Sequence, residues 1–586
     1  MNILGISAFY HDSAACLIQD GRVVACAQQE RFSRNKHDFS FPADAINYCL
    51  KEGKISTKEL AYIGFYEKPF IKFERILYSY LATFPRSFPS FLKALPFWLK
   101  EKIWIPQRIK KELDYERDVL MIEHHLSHAA SSFLVSPFQV SAILTVDGVG
   151  EWAVATSGKG EQNRIEIFKE QRFPHSLGLL YNAFTYYLGF QVNSDEYKVM
   201  GLAPYGKPVY ADLILDQLVS LKEDGSFQTN MDYFAYDYAL SMISRDFEKL
   251  FQMPPRLPAG PLTQKHKDLA ASIQKVTEEI MLKMAIQLER ETRLENLCLS
   301  GGVALNCVAN GRILRESGFK NLFIQPAAGD AGGAVGVAAY IHYALLNNQR
   351  DFVWEHAYWG PEYSNSEIEQ FLNGRHLAYQ KARELELPAL TAKLLAQGKV
   401  IGWFQGRMEF GPRALGNRSI LADPRNPHTK DRVNKKIKFR EEFRPFAPAI
   451  LEERAKDFFE IACPSPYMLL VAQVRPEKKN LIPAVTHLDG SARLQTVNQR
   501  QNPLFYSLLK EFEKQTGCPA LLNTSFNLKG EPIVCSPLDA YSTFLRSGLD
   551  FLILGNCVLD KQTLPESEPF VEKKVLPDEL KTITIR

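Results

Sequence analysis

Two histidines one helical turn apart are the first residues in this sequence that could do chemistry. His124 and His128 stand at positions i and i+4 in the stretch EHHLSHAASSF. A helix there would put both imidazoles on one face, within reach of one metal ion. His125 would point about 100° away from them, and we expect it to be structural. The spacing alone is a weak signal, because many such pairs are simply buried side chains.

Two aspartates at the ends of predicted strands strengthen the case for a metal site. Asp147 follows the buried strand 141–146, and Asp330 lies in the Gly-Asp-Ala-Gly-Gly turn before a helix. Such positions line the crevice of α/β folds. Two imidazoles and two carboxylates form a mixed set that suits Fe(II), Mn(II) or Zn(II) with open coordination positions. The alternative is that both aspartates only cap helices.

Glycines between strands and helices predict anion-binding loops. Gly301 and Gly302 stand in one such loop, and Gly329 opens the second. Glycine lets the backbone approach a phosphate, and a helix N-terminus offers N–H donors. Tight turns without a ligand are the alternative, but two such loops favour a nucleotide. Asp12, in FYHDSAA, could orient a phosphate or a metal-bound water, or only form a turn.

The segment 401–450 is strongly basic, with eleven Lys and Arg against five Asp and Glu. These cations alternate with apolar and turn residues instead of forming one exposed run. Arginine forks beside glycine-rich turns suit phosphate. We therefore favour a pocket for a small phosphorylated ligand over a nucleic-acid surface or a solvated helix face. Further on, ALLNTSFN (520–527) could read a base, ribose or phosphate, with an Asx-type turn as the alternative.

The composition of the whole chain narrows the class of protein. Its 586 residues carry a net charge of +3, so no global field indicates nucleic acid or a membrane surface as partner. Nine cysteines without a C-x-x-C pair indicate reduced thiols. We find no signal peptide and no uninterrupted apolar span, and we expect a cytoplasmic protein. G-x-S-x-G and P-loop motifs are also missing, which argues against a hydrolase triad and a P-loop ATPase.

Periodicity predicts the elements that position these residues. A long amphipathic helix is expected at 266–292, and strand–glycine–helix units follow near 297 and 322. Strands that alternate with helices imply an α/β layer fold. Further strands are expected at 2–8, 14–19, 22–28 and 141–146.

The domain junction is expected where periodicity is lost. This happens at 346–365, and it divides the chain into domains 1–355 and 356–586. The charged tail after Asp560 is predicted to be an extended strap. The aromatic and basic stretch 69–105 is predicted to be an irregular helical insertion that packs on the core, with a substrate-side lid or a membrane-touching surface as alternatives.

Seven motifs in a fixed order resemble the NodU/CmcH family of O-carbamoyltransferases. They lie between about residue 2 and residue 560: MNILGISAFYHDSAACLI, ERFSRNKHD, EHHLSHAASSF, SDEYKVMGLAPYGKP, LSGGVALNCVANGRIL, FGPRALGNRSILADPR and LNTSFNLKGEPIV. The resemblance implies an N-terminal lobe of the actin/sugar-kinase (ASKHA) ATPase type, similar to TsaD-like threonylcarbamoyl-transfer proteins. It also implies a YrdC-like α/β domain after the junction.

The same resemblance implies the site residues. The metal, usually iron, would be bound by His124, His128, Asp147 and Asp330. The nucleotide segment of the first lobe holds Gly301, Gly302, Asn306 and Gly329. In the second domain, KFREEFRPF (438–446) resembles the Lys/Arg and Pro-Phe element of YrdC proteins, and TSFN (524–527) resembles their Thr-Ser-Ala-Asn motif with Phe526 in place of Ala. The candidates there for carbamoyl phosphate and ATP are Arg413, Arg418, Lys435, Arg440, Arg444, Arg493, Asn523, Thr524, Ser525 and Asn527.

The implied reaction has two steps. ATP, with Mg, and carbamoyl phosphate would give carbamoyl-adenylate in the second domain. The first domain would then transfer the carbamoyl group to a hydroxyl of a small-molecule acceptor such as a sugar or an antibiotic, with His11 or Asp12 as the candidate proton acceptor. No nucleic-acid partner and no membrane span are expected, and a homodimer is one option for the oligomeric state.

Other classes of protein remain as alternatives. A tRNA threonylcarbamoyl-transfer enzyme is built from the same two domain types, but it should bind RNA with a steep salt dependence. Hydrogenase-maturation carbamoyltransferases carry Cys-pair zinc fingers, which this sequence lacks. A non-enzymatic ATP-driven switch of the actin or chaperone type would need the nucleotide loops but not the two histidines on one helix face.

Overall fold

Residues 1–564 are described by a computed structural model, in which the chain forms two compact units. The first unit comprises residues 1–29 and 37–354. The second comprises residues 355–564 together with the segment 30–36, which contains the short helix α1 (Glu30–Ser33). The units divide one residue before the predicted junction. Nothing in the sequence predicted that residues 30–36 would belong to the second unit. Most of the strap predicted after Asp560 lies outside the described residues.

The first unit contains two five-stranded sheets of the same design. The strands are β1 (Asn2–Ser7), β2 (Ala14–Gln19), β3 (Arg22–Gln28), β4 (Tyr62–Phe65), β5 (Leu120–Met121), β6 (Val140–Val146), β7 (Ala153–Glu161), β8 (Arg164–Arg172), β9 (Val219–Leu221), β10 (Phe227–Thr229), β11 (Asn296–Ser300) and β12 (Asn321–Ile324). The orders are β3-β2-β1-β4-β5 and β8-β7-β6-β11-β12, while β9 and β10 form a separate hairpin. In each large sheet an antiparallel meander of three strands is extended by two parallel strands. This duplication confirms the α/β class and the predicted actin/sugar-kinase type of lobe.

Helices cover these sheets. They are α2 (Ala43–Gly53), α3 (Pro69–Ala82), α4 (Phe88–Lys100), α5 (Ile105–Leu113), α6 (His124–Phe133), α7 (Leu177–Tyr187), α8 (Glu196–Leu202), α9 (Ala211–Leu213), α10 (Arg245–Phe251), α11 (Gln264–Thr292), α12 (Cys307–Glu316) and α13 (Ala331–Ala339). α11 is the helix predicted at 266–292, and its stripe of apolar side chains is buried. β1, β2, β3 and β6 agree with the predicted strands to within one residue at each end.

The second unit is built on an eight-stranded mixed sheet. Its strands are β13 (Gln380–Lys381), β14 (Ile401–Phe404), β15 (Arg418–Ala422), β16 (Ala447–Leu451), β17 (Val471–Gln473), β18 (Ser491–Arg493), β19 (Gln495–Val497), β20 (Ala520–Ser525), β21 (Phe551–Leu554) and β22 (Cys557–Asp560). The order is β13-β22-β21-β14-β15-β20-β16-β19, and β17 pairs only with β18. The helices are α14 (Asn365–Asn373), α15 (Leu387–Ala396), α16 (His428–Arg432), α17 (Ala455–Phe458), α18 (Pro503–Thr516) and α19 (Pro537–Leu545). The TSFN motif therefore begins at the end of an inner strand, β20.

The aromatic stretch 69–105 is helical, as predicted. It forms α3 and α4 and leads into α5. Within it, Ile76, Tyr80 and Trp98 form a small buried hydrophobic cluster. In the described part of the chain, no helix combines the length and apolar character needed to cross a bilayer.

Candidate functional site

Small residues let helices α6 and α13 cross at backbone distance. A Cβ built on Gly336 of α13 would lie 1.8 Å from the Ser127 carbonyl oxygen of α6, so only glycine fits there. α6 begins at His124, and Asp330 immediately precedes α13. The crossing therefore brings the N-terminal ends of two helices together, and with them two of the predicted metal ligands.

The four predicted metal ligands converge at this crossing. One ligand atom from each of His124, His128, Asp147 and Asp330 can be chosen so that all lie within 4.8 Å of one another. His124 Nε2 lies 3.1 Å from Asp147 Oδ2 and 3.1 Å from His128 Nε2. All four side chains are buried. The alternative interpretation of both aspartates as mere helix caps fails, because Asp330 makes no side-chain cap bond and Asp147 follows a strand.

The polar atoms of this cluster fit a cation. Asp330 Oδ1 is buried and has no hydrogen-bond partner among the described residues, and it lies 3.7 Å from Nε2 of both histidines. A buried carboxylate oxygen in that position is costly unless something positive binds it. Nitrogen and oxygen donors of this kind suit a divalent transition metal.

The carboxylates give the cluster a negative field. Burial lowers the pKa of His124, but the bond to Asp147 and the charge of Asp330 outweigh it and raise that pKa to about 9. Burial likewise opposes ionisation of Asp147, yet the bond from His124 holds the pKa of Asp147 well below its usual range. Both directions indicate an environment that stabilises positive charge among the four side chains.

His11 and Asp12 lie beside the cluster, with a partner that sequence reasoning missed. His11 Nδ1 is 3.2 Å from Asp12 Oδ2, and His11 Nε2 is 3.6 Å from Asp330 Oδ2. His37 Nδ1 lies 2.8 Å from the other oxygen of Asp12. Although burial raises it, the two imidazoles hold the pKa of Asp12 well below its usual range. Asp12 is 23% exposed, whereas Asp147 and Asp330 are nearly inaccessible, so it is the carboxylate that an incoming molecule can reach.

The other polar groups around α6 hold the helix in place. The main-chain N–H of His124 donates to both carboxylate oxygens of Glu151 at 3.1 Å, which caps the helix from the loop after Asp147. His125 pairs with Thr145 at 2.6 Å, which confirms its expected structural role. Tyr66 donates its hydroxyl to Asp330 Oδ2 at 3.3 Å. Neither Glu151 nor Tyr66 was a candidate, because neither belongs to a short-spaced pattern.

The glycine loop at 301–302 bonds directly to Asp147, one of the predicted metal ligands. Gly302 N–H donates to Asp147 Oδ1 at 2.6 Å. Gly301 has φ +94°, and a Cβ there would lie 2.2 Å from the Val146 carbonyl oxygen. Asn306 accepts the Ala309 N–H at the start of α12. Gly329 has no such constraint, since a Cβ there would meet nothing within 4 Å. Their role in nucleotide binding stays a prediction.

A cleft adjoins this cluster in the first unit. Tyr10, next to His11, lines one part, and Val149, two residues after Asp147, lines another. The rest of the lining is mixed apolar and polar: Lys72, Arg75, Ile76, Ser79, Tyr80, Phe173, Leu179, Asn182, Val192, Asn193, Tyr236, Asp237 and Met242. The insertion 69–105 and the region 209–265 both contribute to it.

In the second unit, a buried cation faces the TSFN motif. Lys438 is 3% exposed, and its Nζ donates to main-chain and side-chain oxygens of Ser525 and Asn527 at 2.6–3.2 Å. Burial, and then the charges of Arg440 and Arg444, lower the pKa of Lys438 well below its ordinary value. The two guanidinium groups add positive charge beside this buried amine, and an anionic ligand would offset that charge.

Arg418 and Asn523 serve the fold of the second unit. Arg418 is fully buried, and its guanidinium donates to the main-chain carbonyls of Gln405 and Pro361. Asn523 donates to Gln495 Oε1 at 2.8 Å. These contacts give both side chains a structural task, so their predicted ligand roles gain no support from the structure.

The remaining candidates of the second unit differ in exposure. Lys435 is 60% exposed and pairs with Glu442 at 2.9 Å, away from the buried Lys438. Arg413, Arg493 and Thr524 are half-buried. The structure thus places five residues close together, namely Lys438, Arg440, Arg444, Ser525 and Asn527. Lys435 lies outside this group.

Comparison with protein families decides the class of this chain. The family model described as "Carbamoyltransferase N-terminus" matches residues 2–339, and "Carbamoyltransferase C-terminus" matches residues 392–561. The chain belongs to the carbamoyltransferase family. The resemblance found in its motifs is confirmed, and both clusters described above lie inside the matched ranges.

Similar proteins span nearly the whole of this carbamoyltransferase. It is 52% identical to the uncharacterized protein sll1178 of Synechocystis sp., over 97% of this chain and 98% of that protein. It is 40% identical to nodulation protein NolNO of Sinorhizobium fredii, over 95% of this chain and 80% of that protein. Nodulation protein U of Rhizobium tropici is 31% identical over 90% and 91% of the two chains.

Solved structures give weaker likenesses. HypF of T. kodakarensis matches 59% of this carbamoyltransferase and 48% of its own chain, with 16% identity and a TM-score of 0.31. The ROK hexokinase of Thermus thermophilus matches 59% and 100%, with 14% identity and a TM-score of 0.29. We draw nothing from likenesses at these TM-scores.

Proposed function

We propose that this carbamoyltransferase makes carbamoyl-adenylate from carbamoyl phosphate and MgATP in its second unit, and transfers the carbamoyl group to a hydroxyl of a small-molecule acceptor in its first unit. The acceptor would be a sugar, an antibiotic or another natural product. The observation that carries the proposal is the convergence of His124, His128, Asp147 and Asp330 within 4.8 Å. An enzyme that only bound nucleotide would need no such set.

The first half-reaction has a defined stoichiometry. Carbamoyl phosphate and one water give carbamate and inorganic phosphate. An oxygen of carbamate then attacks the α-phosphorus of ATP, and pyrophosphate leaves. The leaving pyrophosphate carries several negative charges, and the cluster of Lys438, Arg440 and Arg444 would offset that charge as it develops.

The second half-reaction needs a proton acceptor. The acceptor hydroxyl oxygen attacks the carbonyl carbon of carbamoyl-adenylate, AMP leaves, and the hydroxyl proton must go to a base. Asp12 is our candidate, because it is the partly exposed carboxylate beside the cluster. His11 and His37 would hold its two oxygens in a fixed orientation.

A divalent cation fits the four buried ligands. The resemblance to the family implies iron, and the donor set also suits Mn(II) or Zn(II). When bound by His124, His128, Asp147 and Asp330, it would supply Lewis-acid polarisation of a carbonyl. The cleft beside the cluster, lined by Tyr10 and Val149, would then hold the acceptor.

Two assays test the proposal. The protein is incubated with ATP, Mg and carbamoyl phosphate, with and without Fe(II), and both phosphate and pyrophosphate are measured. Hydroxylated metabolites are then screened by mass spectrometry for the addition of one carbamoyl group. Failure to release pyrophosphate while ATP still binds would favour an ATP-driven switch. Salt-sensitive binding of tRNA, with no small molecule carbamoylated, would favour the tRNA-modifying alternative.

A further inference from the structure

Helices α3 and α4 present an unusual surface. Between residues 81 and 100, every exposed side chain that the structure describes is apolar or basic. The exposed apolar ones include Leu81 (67%), Phe84 (66%), Leu92 (55%) and Phe88 (49%). Soluble surfaces normally interleave such residues with acidic and neutral polar ones. The exposed members of this surface are Leu81, Ala82, Phe84, Pro85, Arg86, Phe88, Pro89, Leu92, Lys93, Pro96, Leu99 and Lys100.

The basic members of the 81–100 surface are placed to meet an anionic partner. Lys93 and Lys100 are exposed, and within the described residues neither pairs with a carboxylate. Arg86 lies over the ring of Tyr238, 4.8 Å from its centroid. The nearest acidic residues along the chain, Glu74 and Glu101, fall outside this stretch. Positive charge is thus uncompensated where apolar side chains are most exposed.

We propose that the 81–100 surface docks on the face of an anionic lipid bilayer. Aromatic and aliphatic side chains mixed with Lys and Arg are the pattern of segments that lie in the headgroup region of a membrane. Anionic lipids attract such cations, whereas a second copy of this chain across a two-fold axis would set like charges against each other. The docking would be peripheral, because neither α3 nor α4 can span a bilayer.

Helix α3 links this surface to the cleft. Lys72, Arg75, Ile76, Ser79 and Tyr80 of α3 line the cleft, while Leu81 at the end of the same helix is exposed. Docking would therefore hold one wall of the cleft close to lipid, and it would favour a hydroxylated amphiphile as acceptor. That consequence for the acceptor rests on the proposed function, whereas docking itself does not.

Vesicle flotation tests the docking without any carbamoyl donor. The full chain is mixed with vesicles of phosphatidylcholine containing about 30 mol% phosphatidylglycerol, or with phosphatidylcholine alone. We expect it to float with the anionic vesicles, and to be released at high salt. The variant Phe84→Ser/Phe88→Ser/Leu92→Ser should bind at least about tenfold more weakly. Lys93→Glu/Lys100→Glu should weaken binding by a similar factor.

Matched controls keep the test specific. Leu257 and Leu488 are 77% and 67% exposed and lie elsewhere, so Leu257→Ser/Leu488→Ser should bind vesicles like the native chain. Circular dichroism and thermal unfolding check that each variant is folded. Failure of the native chain to float with anionic vesicles overturns the proposal. Unchanged vesicle binding by both the triple and the double variant also overturns it. A concentration-dependent dimer that the triple substitution dissolves, without vesicle binding, would assign the surface to self-association instead.

Discussion

The Nε2 atoms of His124 and His128 face each other across 3.1 Å in the buried core of the first unit. Two neutral imidazoles can satisfy such a pair only if one nitrogen donates and the other accepts. Asp147 Oδ2 lies 3.1 Å from the same His124 nitrogen. Three atoms that can each accept a proton or bind a metal ion thus converge on one point, which is the geometric reason for expecting a cation there.

His128→Ala should abolish carbamoyl transfer and leave carbamoyl-adenylate formation largely intact. The substitution removes one of the four proposed ligands from the first unit and changes no residue of the second. We expect bound metal, measured by mass spectrometry of the purified protein, to fall about tenfold or more. Acceptor carbamoylation should fall by at least about a hundredfold.

His125→Gln is the matched control for this loss. It changes the neighbouring residue on the same helix, which bonds to Thr145 and not to the cluster. Metal content should stay near that of the native protein. Equal loss of pyrophosphate release and carbamoyl transfer in His128→Ala would contradict the division of labour between the two units.

Gly301→Ala should destabilise the protein far more than Gly329→Ala. Gly301 adopts φ +94°, and an added Cβ would lie 2.2 Å from the Val146 carbonyl oxygen. We expect a loss of about 2 kcal/mol or more in the free energy of unfolding. At Gly329 an added Cβ meets nothing within 4 Å. Urea titration followed by fluorescence would compare the two, and similar midpoints would contradict the strained backbone at Gly301.

Lys438→Met should lower the rate of pyrophosphate release by about a hundredfold or more. The metal content of the protein should not change. The buried ammonium is the central cation of the proposed adenylation site, and Met keeps most of the side-chain volume. Lys436→Met, two residues earlier and exposed, is the control and should release pyrophosphate normally. Normal release from Lys438→Met would remove this residue from the site.

The stability of the native protein should also depend on Lys438 through pH. Because the pKa of Lys438 is lowered in the folded state, the unfolded chain binds more protons between that pKa and about 10.4. Native stability should therefore rise relative to Lys438→Met as pH increases through this window. Thermal unfolding of both proteins at a series of pH values measures the difference. The quantity compared is the unfolding free energy of the native protein minus that of Lys438→Met. A difference that stays constant or falls as pH increases would contradict the lowered pKa.

Ser79→Phe should raise the KM for the acceptor without changing pyrophosphate release. Ser79 lines the cleft, and a phenyl ring there would occupy part of its volume. Thr83→Phe, directly after the end of α3, is the control, because Thr83 makes the same type of hydroxyl bond to the preceding turn but does not line the cleft. An unchanged KM in Ser79→Phe would place the acceptor elsewhere.

Much of the first unit could be predicted from local pattern. β1, β2 and the helix at 266–292 carry strong periodicity, and the i, i+4 pair His124 and His128 needs only helical geometry to share a face. The structure brings Asp147, just after β6, and Asp330, just before α13, to that pair, in the crevice position typical of an α/β layer.

Residues that act through tertiary contact could not be predicted in this way. His37 and Tyr66 reach Asp12 and Asp330 from separate loops, and no spacing along the chain reveals such contacts. In the basic segment, composition could not separate the exposed Lys435 from Lys438, because the two differ only in burial. The opening lysine of KFREEFRPF was the signal that could have identified Lys438.

The helix α1 segment, residues 30–36, gives this protein an unusual genetic constraint. In the second unit, Arg34 donates to the main-chain carbonyls of Pro532 and Ile533, almost five hundred positions downstream. A crossover near residue 355 between two parental genes would separate these partners. An exchange of the two units between parents would therefore have to move residues 30–36 together with the distal half.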